Sequence, residues 1–189
     1  ARELLEVRVG DVVGPAAERC VAARGVAIGA GGVVGASRLT DGNEARDSLA
    51  GSIVALQTLR ADNEPYVTVI GHSYGSTAAL MALTEFNFTV DALALVGSAG
   101  SAAQSVDELN VRNGNVYVGK AQWDPVPNSA FFGSEPGSAD YGARTFGTDG
   151  GTDPITGVAL LRSFFHIEYF SPGTESLRNL ALIGIDRGA

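Results

Sequence analysis

The 189-residue chain is 45% apolar and carries a net charge of -8 at neutral pH, enough apolar content for one sizeable core. That acidic balance leaves no basic footprint for nucleic acid or for an anionic membrane surface. A single cysteine, Cys20, excludes an internal disulfide and any multi-cysteine metal site, and no apolar run reaches the roughly 18 residues that a membrane span needs.

These properties predict one soluble domain over residues 1–189, with Cys20 as a small buried hydrophobe and no integral membrane association. Ala1 is not followed by a charged-then-apolar signal pattern, and the compartment is left open between cytoplasm and exterior. Leu4 to Val9 alternates weakly and reads as a short strand or hairpin with Val12-Val13. Pro15 opens a helical stretch from Ala16 to Arg24, which Gly25 would end. Val26 to Ile28 reads as a buried strand. The glycine-rich run from Gly29 to Gly35 lacks the spacing of a dinucleotide loop and reads as an irregular connection.

From Glu44 to Arg60, Leu49, Ile53, Leu56 and Leu59 recur at three- and four-residue steps, which predicts an amphipathic helix packed on a sheet. Asn63-Glu64-Pro65 breaks the chain. Tyr66 to Ile70 is rich in β-formers and predicts a strand running into Gly71. Ser76 to Thr84, rich in Ala and Leu without a breaker, predicts a helix. Two further strands are expected at Ala92–Val96 and Val116–Val118, with a helix over Val106–Val111 between them. Asn128 to Gly157 shows no period and reads as a long loop, a lid or pocket wall. Strands alternating with helices predict an α/β fold with a mostly parallel sheet and helices on both faces.

The chemistry concentrates at Gly71-His72-Ser73-Tyr74-Gly75. A G-x-S-x-G run between a strand and a helix makes a turn tight enough to lift the serine hydroxyl above the strand ends. Ser73 is therefore the candidate nucleophile, and the backbone N–H of Tyr74 at the helix start is the candidate oxyanion donor. A serine hydroxyl needs a base, and histidine is available in its neutral form near pH 7. The chain has two histidines. Strand alternation turns His72 away from the hydroxyl toward a structural role, which leaves His166 as the base. The acid should follow the serine and precede the histidine, in a loop after a strand. Asp124, shortly after Val116–Val118, is preferred over Asp140 and Asp153, which satisfy the order alone. Two histidines and one cysteine do not build a typical zinc site, so neither a metal nor another cofactor is expected.

Val67 to Ser76, Val96-Gly97-Ser98, Asp124-Pro125-Val126 and the tail His166-x-x-Tyr169-Phe170-x-x-Gly173-Thr174-x-Ser176-Leu177-x-Asn179 resemble an actinobacterial α/β-hydrolase domain family of unknown function. The resemblance runs from about Gly25 to Asn179. It implies the α/β-hydrolase fold and a serine hydrolase with Ser73 as nucleophile, Asp124 as acid and His166 as base. Such families carry a strand and a glycine-containing loop ahead of this region, donating a second oxyanion N–H. No convincing counterpart precedes Gly25, so the chain is read as N-terminally shortened, or Gly29–Gly32 substitutes.

The expected activity is cleavage of a small-molecule ester or lipid-like substrate through an acyl-enzyme. Phe131, Phe132, Phe146, Phe164, Phe165 and Phe170 flank the acid and base and are candidates for an apolar acyl pocket. An amidase or peptidase would use the same triad, and a non-catalytic binding domain on the same fold is the alternative from another class.

Overall fold

The computed structural model describes residues 39–59 and 66–187. The strands and helix expected before Gly29, the glycine run after it, Cys20 and the break at Asn63–Pro65 lie outside the described residues.

Helix α1 (Leu39–Leu59) begins five residues ahead of the periodic stretch, and its apolar stripe is placed as the spacing predicts, with Leu49, Ile53 and Leu56 buried. Strand β1 (Thr68–His72) leads through Ser73 into α2 (Tyr74–Glu85). The strand starts two residues later than Tyr66, because Val67 is occupied ahead of the ladder: its N–H donates to the Asp91 carboxylate at 2.7 Å. Strands β2 (Ala92–Val96) and β3 (Val116–Gly119) follow, and all residues of the three strands are buried. Near-continuous burial of this kind marks a parallel sheet covered on both faces.

The sheet order is β1-β2-β3-β4, every pairing parallel, with β4 at Arg144–Phe146. Register places Thr68 opposite Ala92, Leu93 opposite Val116 and Tyr117 opposite Arg144. Side-chain alternation then divides the sheet into two faces. Val69, Leu93, Leu95, Val116 and Val118 pack with Leu49, Ile53, Leu80 and Leu83 from α1 and α2. Ile70, Ala94, Val96 and Tyr117 pack with Tyr169 and with Leu180 and Ile183 of α3 (Glu175–Gly184). Each fully buried Val, Leu or Ile contributes about 1.5–3 kcal/mol by leaving water, so the paired clusters fix which strand side chains face α1 and α2 and which face α3.

Two expectations are corrected. Val106–Val111 is not a helix. Only Val106–Glu108 forms a single 3-10 turn; Leu109 is extended, and Val111 bridges Val90 in parallel fashion. Backbone pairing to a neighbouring segment outweighs a weak helical pattern containing two β-branched residues and Asn110. Nor is Asn128–Gly157 all loop. It contains a 3-10 turn at Ala139–Tyr141, the sheet strand β4, and β5 (Gly151–Thr152), which pairs antiparallel with β6 (Ala159–Leu160). Strands of two or three mostly exposed residues leave no hydrophobic alternation to read.

Candidate active site

The β1–α2 junction is a strained turn. Ser73 adopts φ 54°, ψ -128°, a conformation that costs a non-glycine residue about 1–3 kcal/mol and persists only where its surroundings impose it. The surroundings do so here. Ser73 N–H donates to the Val96 carbonyl at 3.1 Å, and its own carbonyl accepts from the Ser76 hydroxyl at 2.5 Å. Ser76 Oγ in turn shares a 2.8 Å hydrogen bond with Ser98 Oγ, and Ser98 Oγ accepts from Gly100 N–H at 3.2 Å. Gly71 is required because a Cβ there would lie 2.7 Å from the Ser76 Cα. Tyr74 opens α2, so its backbone N–H stands at the positive end of the helix dipole beside Ser73; its ring meets Phe132 at 5.7 Å.

Asp124 sits in the turn after β3, its N–H donating to the Ala121 carbonyl at 3.1 Å. The carboxylate is buried, and three groups donate to it: Val126 N–H to Oδ1 at 3.0 Å, and His166 Nδ1 and the Tyr169 hydroxyl to Oδ2 at 2.9 and 2.7 Å. Burial pushes its pKa up, but the hydrogen bonds from His166, Tyr169 and Val126 together outweigh that, and the carboxyl stays below its ordinary value. It is an ionised acceptor at neutral pH.

His166 lies on a turn that the Glu168 carboxylate closes by accepting from Phe164 N–H at 2.7 Å and Phe165 N–H at 3.3 Å. Since Nδ1 faces a carboxylate and must donate, Nε2 carries the lone pair. That nitrogen is 2.7 Å from Ser73 Oγ. The structure thus brings Ser73, His166 and Asp124 into one chain of hydrogen bonds running from hydroxyl to carboxylate.

The other sequence candidates are elsewhere. Asp140 is exposed on the 3-10 turn Ala139–Tyr141. Asp153 accepts from Arg178 Nε at 2.9 Å and fastens the β5–β6 hairpin to α3. His72 points away from the Ser73 hydroxyl, yet it is close to His166: its Nε2–H donates to the His166 main-chain carbonyl at 2.7 Å, with the two ring centroids 4.7 Å apart. Burial lowers the His72 pKa, the neighbouring His166 ring adding to the shift and its carbonyl opposing it. Among the described residues, no group of His, Cys, Asp and Glu side chains is arranged to hold a metal ion.

Two contributors were not singled out by the sequence. Gly97, φ +56°, follows β2, and a Cβ there would lie 2.9 Å from both Asp124 Oδ2 and His166 Nδ1. Its bare backbone leaves the space in which the Asp124 carboxylate and the His166 ring meet. Tyr169 supplies a third of the donors to Asp124. Both lie within the quoted motifs, but their roles arise from contacts between distant segments. The tail also reads structurally: Thr174 caps α3 by accepting from Leu177 N–H, Ser176 donates to the Tyr169 carbonyl at 2.7 Å, and Asn179 donates to Gly147 at 3.0 Å.

The six phenylalanines divide. Phe146 and Phe170 pack against the α3-side core, Phe170 edge-on to His72 at 5.7 Å between ring centroids. Phe131, Phe164 and Phe165 are exposed, as are Trp123 beside Asp124 and Ile167 beside His166. Phe132 is half-buried between Tyr74 and Phe131.

A sequence model of a family described as alpha/beta hydrolase matches residues 25–134, which takes in Ser73 and Asp124 and ends before His166. The parallel sheet with helices on both faces agrees with that match. Two curated proteins of Mycobacterium tuberculosis, uncharacterized protein MT2140 of strain CDC 1551 / Oshkosh and uncharacterized protein Rv2079 of strain ATCC 25618 / H37Rv, are each 29% identical to the chain over 141 residues. The similarity covers 65% of this chain and 22% of each relative, so the chain spans well under half the length of these proteins. No solved structure matches at a significant level.

Proposed function

The chain belongs to the alpha/beta hydrolase family, and from that premise we propose that it is a serine hydrolase cleaving an ester-type acyl bond, with Ser73 as nucleophile, His166 as base and Asp124 as acid. The observation that carries this reading is the unbroken hydrogen-bond chain Ser73 Oγ, His166 Nε2, His166 Nδ1, Asp124 Oδ2 at 2.7 and 2.9 Å.

In this reading His166 Nε2 takes the Ser73 proton as Oγ adds to the substrate carbonyl. The negative charge of Asp124 stabilises the imidazolium and holds it in the Nδ1–H form. The developing oxyanion is met by the Tyr74 N–H and the positive end of α2. Collapse expels the alcohol, which leaves with the proton from His166. Water, deprotonated by the same nitrogen, then adds to the acyl carbon, and the C–Oγ bond breaks as His166 returns that proton to Ser73 Oγ, releasing the acid. The exposed aromatic and aliphatic side chains of Trp123, Phe131, Phe165 and Ile167, next in chain to the acid and base or linked through Phe132 to Tyr74, suit an apolar acyl group. A lipid-like or medium-chain ester is the proposed substrate class.

Hydrolysis of p-nitrophenyl esters of graded chain length tests the reading. Turnover is expected to rise from acetyl to medium acyl chains, to vanish in Ser73→Ala and to survive EDTA. Hydrolysis that persists in Ser73→Ala, or that EDTA removes and zinc restores, contradicts it.

A further inference from the structure

Tyr169 is among the most completely buried large side chains described, and its hydroxyl has a defined place at both ends. It accepts the Ala121 N–H at 2.8 Å, at the start of the turn that carries Asp124, and donates to Asp124 Oδ2 at 2.7 Å. His166 Nδ1 donates to that same oxygen at 2.9 Å. A buried polar group with both bonds made fixes its neighbours in one arrangement, and removing one partner leaves the others unsatisfied.

We propose that Tyr169 is a positioning residue for the active site: its hydroxyl locks the Asp124 carboxylate in the rotation that presents Oδ2 to His166, and so ties the base-bearing turn to the acid-bearing turn. This deepens the hydrolase reading and rests on it for its catalytic consequence. With Val126 N–H on one oxygen and two donors on the other, any rotation of the carboxylate short of the flip that exchanges its equivalent oxygens breaks at least one of these bonds. Burial raises the pKa of the phenol, so it remains protonated and can only donate to the carboxylate. The arrangement is itself held from behind. The Ser176 hydroxyl donates to the Tyr169 carbonyl at 2.7 Å and shares a 2.7 Å hydrogen bond with Ser163 Oγ. On the other side the His72 ring meets the Tyr169 ring edge-on at 5.8 Å, while His72 Nε2–H donates to the His166 carbonyl. One short segment therefore carries both His166 and the hydroxyl that holds Asp124, and it is anchored to the β4–β5 loop where Ser163 N–H donates to the Thr148 carbonyl at 2.8 Å.

Two measurements test this. In the wild-type protein, proton NMR should show a downfield His166 Nδ1 proton with a cross-peak to a slowly exchanging Tyr169 hydroxyl proton, because both point at one oxygen. Tyr169→Phe should shift that Nδ1 resonance and slow labelling of Ser73 by a fluorophosphonate by about tenfold to a hundredfold, the scale of one hydrogen bond to a charged group. Made in an Asp124→Asn background, the same substitution should slow labelling less than about twofold, since interacting sites are non-additive. A wild type without the cross-peak, or a Tyr169→Phe penalty of equal size in both backgrounds, overturns the proposal. A wild type that shows the cross-peak but is never labelled overturns the hydrolase reading and leaves the clamp intact.

Discussion

The turn carrying Asp124 and the hairpin carrying Asp153 both hold an aspartate whose pKa is lowered, and the two serve different ends. Asp153 is pulled down to about 2, chiefly by its hydrogen bond from Arg178 and then by Ile155 N–H and Thr156 N–H. A guanidinium is always charged, so the pair is neutral as it stands, and its product is the attachment of β5–β6 to α3. Asp124 is buried, which opposes ionisation, and the groups that overcome burial are two neutral donors, Val126 N–H and the Tyr169 hydroxyl, together with a titratable imidazole. In the proposed mechanism its negative charge remains available when His166 takes up a proton. A depressed carboxylate therefore identifies a functional acid only through what it faces.

The largest expected effect separates the two sites directly. Asp124→Asn should lower turnover by about 10⁴, the cost of the corresponding change in a serine protease, where the wrong histidine tautomer is favoured. Asp153→Asn should stay within about tenfold of wild type in rate, because it disconnects a hairpin and touches no group in the proton path. Asp140→Asn should do the same. Ester hydrolysis by the three folded variants checks all of this on one substrate.

Next in size is Gly97→Ala. The new methyl would press on Asp124 Oδ2 and His166 Nδ1 from 2.9 Å, on a backbone at φ +56°. Displacement of the pair by a fraction of an ångström should cost about a hundredfold in kcat, with a smaller loss of stability from the left-handed backbone. An unchanged kcat would show that the acid and base do not need the space Gly97 leaves.

The smallest effects are in stability against pH. His72 has a folded pKa below its ordinary 6.5, so its contribution is complete above 6.5 and is lost as pH falls toward the lowered value. The slope it adds is at most about 1.4 kcal/mol per pH unit. Asp124 and Asp153, both lowered from 3.8, contribute stability that is complete above that value and lost as pH falls through their folded values, near 2 for Asp153. Thermal melting from pH 8 downward should therefore show decline in two stages. His72→Gln should flatten the upper stage and Asp153→Asn should soften the lower one.

The legible parts of the molecule are those whose signal is local. Val67 to Thr84 spells a buried strand, a glycine-flanked serine and an alanine-rich helix within a short span, and the strained φ of Ser73 is the direct outcome of that order. His166 was legible by elimination, since only two histidines exist, and Asp124 by its distance from β3. The fourth strand was not legible: Arg144–Phe146 belongs to the sheet through backbone bonds to Tyr117–Gly119, while its side chains are largely exposed. Gly97 and Tyr169 were hidden for the same reason, because their partners are Asp124, His166 and Ala121, remote in sequence and joined only by the fold.

The central claim, that Ser73 is a nucleophile activated through His166 and Asp124, is tested most directly by a fluorophosphonate probe followed by peptide mass spectrometry. One adduct per chain is expected, on the peptide containing Ser73, with no adduct in Ser73→Ala and labelling slowed by orders of magnitude in Asp124→Asn. A folded wild-type protein that does not label, or a Ser73→Ala variant that labels as wild type does, would contradict the account.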